Sequence, residues 1–340
     1  MRLTQRATTL ITVAIAVLAS TAAAASASAA ADAGQAAPRV YRVTAEIQVG
    51  SEPSGVATNP ATNTIYVANG EGNSVTVIRG RTNKVGATVR VGKGPAGVAV
   101  NPVTNTVYVA NFAGNTVSVI NGRTNKEVAK IRVGREPIDL AVNPVTNTIY
   151  VTNSGAGTVS VIRGRTNKVA AVIGGTTAQA GIAVNPRTNT IYVAGNPVSV
   201  IRGRTNKVVA TIAVGGDSVA VAANPVTNTS YDVEAVANTV SAIGGQTNKV
   251  VAIVRVGLRP NYVAVNPLTN TIFVVNFSFG TVSVISGRTN RAVAKVDVFG
   301  MNGEPAGIAV NPATGIVYVT SANHGLLAVV RSCRSARGPC

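Results

Sequence analysis

Short valine-rich runs recur along most of the chain, apolar positions alternating with small or polar ones, and Gly, Asn and Pro break them at regular places. The stretch from Pro95 shows the unit. "PAGVAV" (95–100) alternates as a strand does, and "NPVTN" (101–105) reads as a turn, because Pro fixes φ and Asn tolerates the left-handed region. "TVYVAN" (106–111) predicts a second strand, "FAGN" (112–115) a second turn and "TVSVIN" (116–121) a third strand. "GRTNK" (122–126) is a third turn and "EVAKIRVG" (127–134) a fourth strand. No segment carries an apolar period of 3.6, so helices are not expected.

The whole unit repeats. "NPATNTIYV" begins at Asn59, and related phrases begin at Asn101, Asn143, Asn185, Asn224, Asn266 and Asn311, spaced 42, 42, 42, 39, 42 and 45 residues apart. Four short strands in a period of that length predict a propeller blade; a solenoid of helix pairs is excluded, and a stacked β-helix uses shorter rungs. In the last copy Gly315 stands where the others have Asn, and both residues tolerate positive φ. GRTNK recurs at 80–84, 122–126, 164–168 and 203–207, with GQTNK at 245–249 and GRTNR at 287–291, so seven "NP" phrases face six basic turns. The last unit has three strands, "PAGIAV", "GIVYVT" and "LLAVVR", and departs at Ser332-Cys333. Its missing strand is expected at the other end of the chain, where "YRVTAEIQVGSEP" (41–53) aligns without a gap on "NKVGATVRVGKGP" (83–95). The predicted fold is all-β: a seven-bladed propeller of four-stranded antiparallel blades, closed by the N-terminal strand completing blade 7.

Tyr150-Val151-Thr152-Asn153 spells YVTN, with YVAN at 66–69 and 108–111. Over residues 40–331 the chain resembles the YVTN-family β-propeller repeat proteins. The resemblance implies a secreted bacterial seven-bladed propeller; members include surface-layer and envelope proteins, and related seven-bladed propellers include lactonases and lyases. Two units depart from the pattern: blade 4 is short and reads Gly195-Asn196-Pro197, and blade 5 places Tyr231-Asp232-Val233-Glu234 where the others are apolar.

Arg2 and Arg6, an apolar run from about Leu10 to Leu18, and small residues from Ala22 to Ala31 describe a signal peptide over 1–30. The separated arginines argue against a twin-arginine signal, and no Cys follows the apolar run to carry a lipid. Residues 31–39 read as a flexible leader, 40–331 as the propeller and 332–340 as a tail. The expected product is a secreted or extracytoplasmic monomer of the cell envelope, with no membrane span after cleavage. Cys333 and Cys340 either close a small disulfide loop in the tail or remain two thiols.

The formal net charge is +18, and removal of 1–30 leaves 28 basic against 12 acidic side chains. In a propeller the first and third hairpin turns of a blade share one face, and the second turn and the inter-blade connection share the other. One face is therefore expected to carry Arg81, Lys84, Arg123, Lys126, Arg165, Lys168, Arg204, Lys207, Lys249, Arg288 and Arg291, with Arg79, Arg163 and Arg202 beside them. Either these are solvated turns copied by duplication, or they bind an anionic cell-wall polymer, a polysaccharide or a protein partner. Nucleic acid would be held through backbone charge alone, since the turns lack aromatics for stacking. The other face receives Glu52, Glu136, Asp217 and Glu304, with Glu71, Asp139 and His324. At the mouth of a central channel these carboxylates offer oxygen ligands to a divalent cation, and Glu136 with His324 would then serve a metal-assisted lactonase or lyase. Against that, no calcium loop, G-x-S-x-G, H-E-x-x-H or phosphate loop is present, and His324 is the single histidine. The primary expectation is a non-enzymatic binding or scaffold protein with no cofactor.

Overall fold

The computed structural model describes residues 39–176, 181–300, 303–335 and 340. The expected signal peptide and nearly all of the leader lie outside them. The described residues fall into two units, a smaller one that includes Cys333 and Cys340, and Tyr41–Ser332. In the first, Cys333 and Cys340 are disulfide-bonded, which closes the alternative left open by the sequence.

The larger unit is built of seven four-stranded antiparallel sheets. In chain order these are blade 1, β2–β5 (53–90); blade 2, β6–β9 (95–132); blade 3, β10–β13 (137–173); blade 4, β14–β17 (182–212); blade 5, β18–β21 (218–255); and blade 6, β22–β25 (260–297). Blade 7 joins β26–β28 (305–333) to β1 (Val40–Gln48) in the order β1-β28-β27-β26. The Thr44 hydroxyl donates to the Val329 carbonyl at 3.1 Å, and the Val49 N–H to the Gly325 carbonyl at 2.9 Å. The orphan N-terminal strand thus covers an edge that would otherwise be open.

Alternation along the strands decides which blade each side chain meets. In β3 (Thr64–Asn69) Tyr66 and Ala68 pack with Val107, Val109 and Ile120 of blade 2, while Ile65 and Val67 pack with Tyr318, Leu327 and Val329 of blade 7. Seven such clusters fill the seven inter-blade interfaces. The recurring aromatics Tyr66, Tyr108, Tyr150, Tyr192, Tyr231, Phe273 and Tyr318 are buried in them, so they are core. Each fully buried large side chain contributes about 1.5–3 kcal/mol.

A polar ring ties the same interfaces. The Asn opening each "NP" phrase accepts from its own turn: Asn59 Oδ1 from the Ala61 N–H, Asn101 Oδ1 from Val103. Its Nδ2 then donates to the turn Asn of the next blade. The pairs are Asn59–Asn105, Asn101–Asn147, Asn143–Asn189, Asn185–Asn228 and Asn224–Asn270 at 2.8 Å, and Asn311–Asn63 at 2.9 Å. The last of these closes the circle. The acceptors Asn63 to Asn270 have φ between 49° and 53°. A seventh pair would run from Asn266 to residue 315, and Gly315, at φ 70°, has no amide to accept it.

Candidate functional site

The GRTNK turns are stitched to the "NP" turns of their own blade. Gly80, Gly122, Gly164, Gly203, Gly245 and Gly287 donate their N–H groups to the carbonyls of Asn63, Asn105, Asn147, Asn189, Asn228 and Asn270 at 2.8–2.9 Å. Asn83, Asn125, Asn167, Asn206, Asn248 and Asn290 take positive φ of 50–55°, and the Asn83 N–H closes the turn on the Arg79 carbonyl at 2.8 Å. Glycine and asparagine are therefore demanded by backbone geometry. The basic residues are not. Arg81, Lys84, Arg123, Lys126, Arg165, Lys168, Arg204, Lys207, Lys249, Arg288 and Arg291 are all exposed. Three hairpins set like charges directly opposite each other, Arg79 on Lys84, Arg163 on Lys168 and Arg202 on Lys207. Such pairs are destabilising. Lys130 and Glu127, away from these turns, form an ion pair at 3.5 Å.

At the opposite end of the blades, the second turns meet the inter-blade connections. Asn73, Asn115 and Asn238 accept through Oδ1 from the N–H groups of Gly94, Glu136 and Arg259 at 2.7–2.8 Å. Glu52, Gly94, Glu136, Arg259 and Glu304 share one left-handed station, with φ from 38° to 60°. The carboxylates expected here are joined by Lys93, Arg135 and Arg259, so this end carries both signs. Glu136 stands on the approach to blade 3, and His324, exposed, lies in the second turn of blade 7 with its ring edge-on to Phe299 at 6.3 Å. Among the described residues no three His, Cys, Asp or Glu side chains gather as a metal-holding group.

What sequence reasoning missed is inside the channel. The innermost strands of all seven blades enclose a cavity of about 430 Å³. The position four residues before each "NP" Asn lines it, and there the blades carry Gly55, Gly97, Asp139, Gly181, Ala220, Tyr262 and Gly307. Small residues allow the strands to converge: a Cβ on Gly97 would stand 2.8 Å from the Asp139 backbone, and one on Gly181 2.8 Å from Ala220. Asp139 and Tyr262, from blades 3 and 6, are the two ionisable exceptions. The Asp139 carboxylate accepts from the Leu140 N–H at 2.8 Å and, across the interface, from Ile182 of blade 4 at 3.1 Å. Burial pushes its pKa up to about 6 against those two donors. Burial, and then the Asp139 charge, push Tyr262 up to about 12. Asp139 thus belongs to the channel wall, and its hydrogen bonds are those of an inter-blade tie. The signal was present in the repeat alignment, as two large polar residues at a glycine position.

Among the described residues no helix is long and apolar enough to cross a membrane. No family model matches the chain. No curated protein matches it either. Among solved structures, a chain of Kuenenia stuttgartiensis hydrazine synthase superposes with a TM-score of 0.73 at 19% identity, covering 85% of this chain and 98% of that one. At that identity the likeness concerns the fold alone, and the fold shared is the β-propeller.

Proposed function

We propose that the protein is an exported, YVTN-type binding or scaffold propeller of the cell envelope, whose GRTNK turns engage an anionic polymer. The observation that carries this reading is the recurrence of exposed positive charge at the turns. Backbone geometry accounts for their glycine and asparagine, yet Arg and Lys recur at the same stations and in three blades face each other across the hairpin. Like charges so placed cost stability, and a polyanion laid across them removes the cost. Each exposed contact is worth about 0–1 kcal/mol, so affinity comes from the number of blades touched.

The test is a salt titration of binding to teichoic acid, heparin and DNA. Changing Arg81, Lys84, Arg123 and Lys126 to Gln leaves the Gly and Asn of both turns in place. The variant should fold as the parent does, bind more weakly and show a shallower dependence of log K on log salt. A parent that binds none of the three at low salt refutes the reading. An unchanged slope in the variant would place the contact elsewhere.

A further inference from the structure

Seven copies of one unit provide their own control, and four departures from the repeat fall at one interface. In blades 1, 2, 3 and 6 the second strand ends in Asn69, Asn111, Asn153 and Asn276. Each of these amides donates to hydroxyls of the third strand: Asn69 to Ser74 and Thr76, Asn111 to Thr116 and Ser118, Asn153 to Thr158 and Ser160, Asn276 to Thr281 and Ser283. Blade 5 places Glu234 at that station, a group that accepts and does not donate. Asp232 replaces the valine two residues earlier, and Ser218 replaces the proline that opens most blades. Gly195 takes the Asn position of blade 4, and its N–H donates to the Ser218 hydroxyl at 3.0 Å.

All three blade-5 side chains are fully or nearly fully buried, Asp232 and Glu234 at 0% exposure. Ser218 donates to Asp232 Oδ1 at 2.7 Å, and Thr239 donates to Glu234 Oε2. The remaining oxygens, Asp232 Oδ2, Glu234 Oε1 and the Ser241 hydroxyl, are buried and have no partner. They share one face, since Asp232 and Glu234 are two residues apart on one strand and Ser241 lies directly opposite Asp232 on the next. There is also room. A Cβ on Gly50, Gly92, Gly134 or Gly257 would meet the blade's Asn side chain at 2.5–2.6 Å, whereas one on the corresponding Gly215 meets nothing within 4 Å.

We propose that Asp232 Oδ2, Glu234 Oε1 and Ser241 Oγ hold a hard divalent cation, calcium, between blades 4 and 5. Two carboxylates at 0% exposure are tenable as anions only with positive charge beside them. A proton shared between the two carboxylates is the alternative counter-charge, and a missing calcium response would reveal it. A cation satisfies all three oxygens. Calcium takes six to eight oxygens in flexible geometry, the balance coming from backbone carbonyls and water, and magnesium demands an octahedron and keeps its water. The ion would tie the second strand of blade 5 to its third, as the Asn amide does in blades 1, 2, 3 and 6.

The experiment titrates calcium into the full chain after chelation, with calorimetry for stoichiometry and a melting curve for linkage. One ion per chain is expected. At free calcium a hundred times the Kd, the folded-to-unfolded ratio should rise about a hundredfold and Tm should rise with it. Glu234→Asn restores the residue of blades 1, 2, 3 and 6. It should lose the heat and the Tm response together and melt no lower than the parent in chelator. Should that variant fold poorly, Ser241→Ala removes one ligand and should weaken calcium binding. No heat and no Tm shift up to roughly 10 mM calcium, beyond the range of weak extracellular modules, overturns the site. Undiminished binding in Glu234→Asn overturns it equally. Neither result depends on polyanion binding, which the turns at the other end of the blades would mediate.

Discussion

Gly315→Asn should stabilise the protein, because it supplies the one acceptor missing from the inter-blade Asn ring. The backbone at 315 already has φ 70°, in the region its six Asn counterparts occupy, and an added Cβ meets nothing within 4 Å. Asn266 is buried, and its Oδ1 is engaged by the Leu268 N–H at 3.0 Å, so its Nδ2 is oriented as in the other blades. One amide–amide hydrogen bond contributes about 0.5–1.5 kcal/mol net. Replacing glycine at a compatible conformation adds about 0.4–1 kcal/mol by restricting the unfolded chain, less a few tenths for Asn in the left-handed region. The sum is about 1–2 kcal/mol, or a Tm rise of roughly 2–3 °C for a domain of this size. Gly315→Ala is the control: it adopts the same φ without an amide and should lose about 1 kcal/mol. A double-mutant cycle with Asn266→Ala isolates the bond, and the coupling should be about 0.5–1.5 kcal/mol. If Gly315→Asn melts no higher than Gly315→Ala, or if its gain survives Asn266→Ala, the ring is not a stabilising device.

Two further outcomes follow from the fold. Deleting residues 38–49 should lower Tm and promote self-association, because β28 becomes an open edge and the packing of Ile47 is lost; an unchanged melting curve and a monodisperse sedimentation profile would contradict the closure. For Asp139, the folded pKa of about 6 lies above the ordinary value of 3.8, so the folded state binds the extra proton and stability falls as pH rises from about 4 to 6, by up to roughly 3 kcal/mol. Asp139→Asn should flatten that segment of a denaturation-versus-pH series, and an unaltered slope would show that another group titrates there.

Much of the fold was legible because a repeat writes its turns in residues that backbone geometry demands. The seven "NP" phrases, the Gly315 exchange and the alignment of 41–53 on 83–95 together predicted the blades and their closure. The Asn ring was not legible. Each "NP" Asn reads locally as a turn residue, and only the convergence of innermost strands brings its amide to the next blade. Asn69 and its counterparts, at the ends of second strands, read locally as residues that bond turn backbone. Asn69 does accept from the Gly50 N–H, but its amide goes to hydroxyls on the neighbouring strand, a partnership set by register. Likewise Asp139 and Tyr262 acquire meaning only once that column of the repeat is known to be the channel wall. Blade 5 stood out in sequence as an anomaly. Its chemistry emerged from burial, which strips two carboxylates and a serine of water.

The most direct measurement of the functional account is lysine footprinting in the presence of a polyanion. Lys84, Lys126, Lys168, Lys207 and Lys249 mark the GRTNK turns, while Lys93, also exposed, marks the connection at the other end of the blades. With heparin or teichoic acid bound at low salt, amine labelling should fall at several of the turn lysines together, stay unchanged at Lys93 and recover as salt is raised. Labelling that falls equally at Lys93, or that is unaffected at every turn lysine while polymer is bound, would contradict the account.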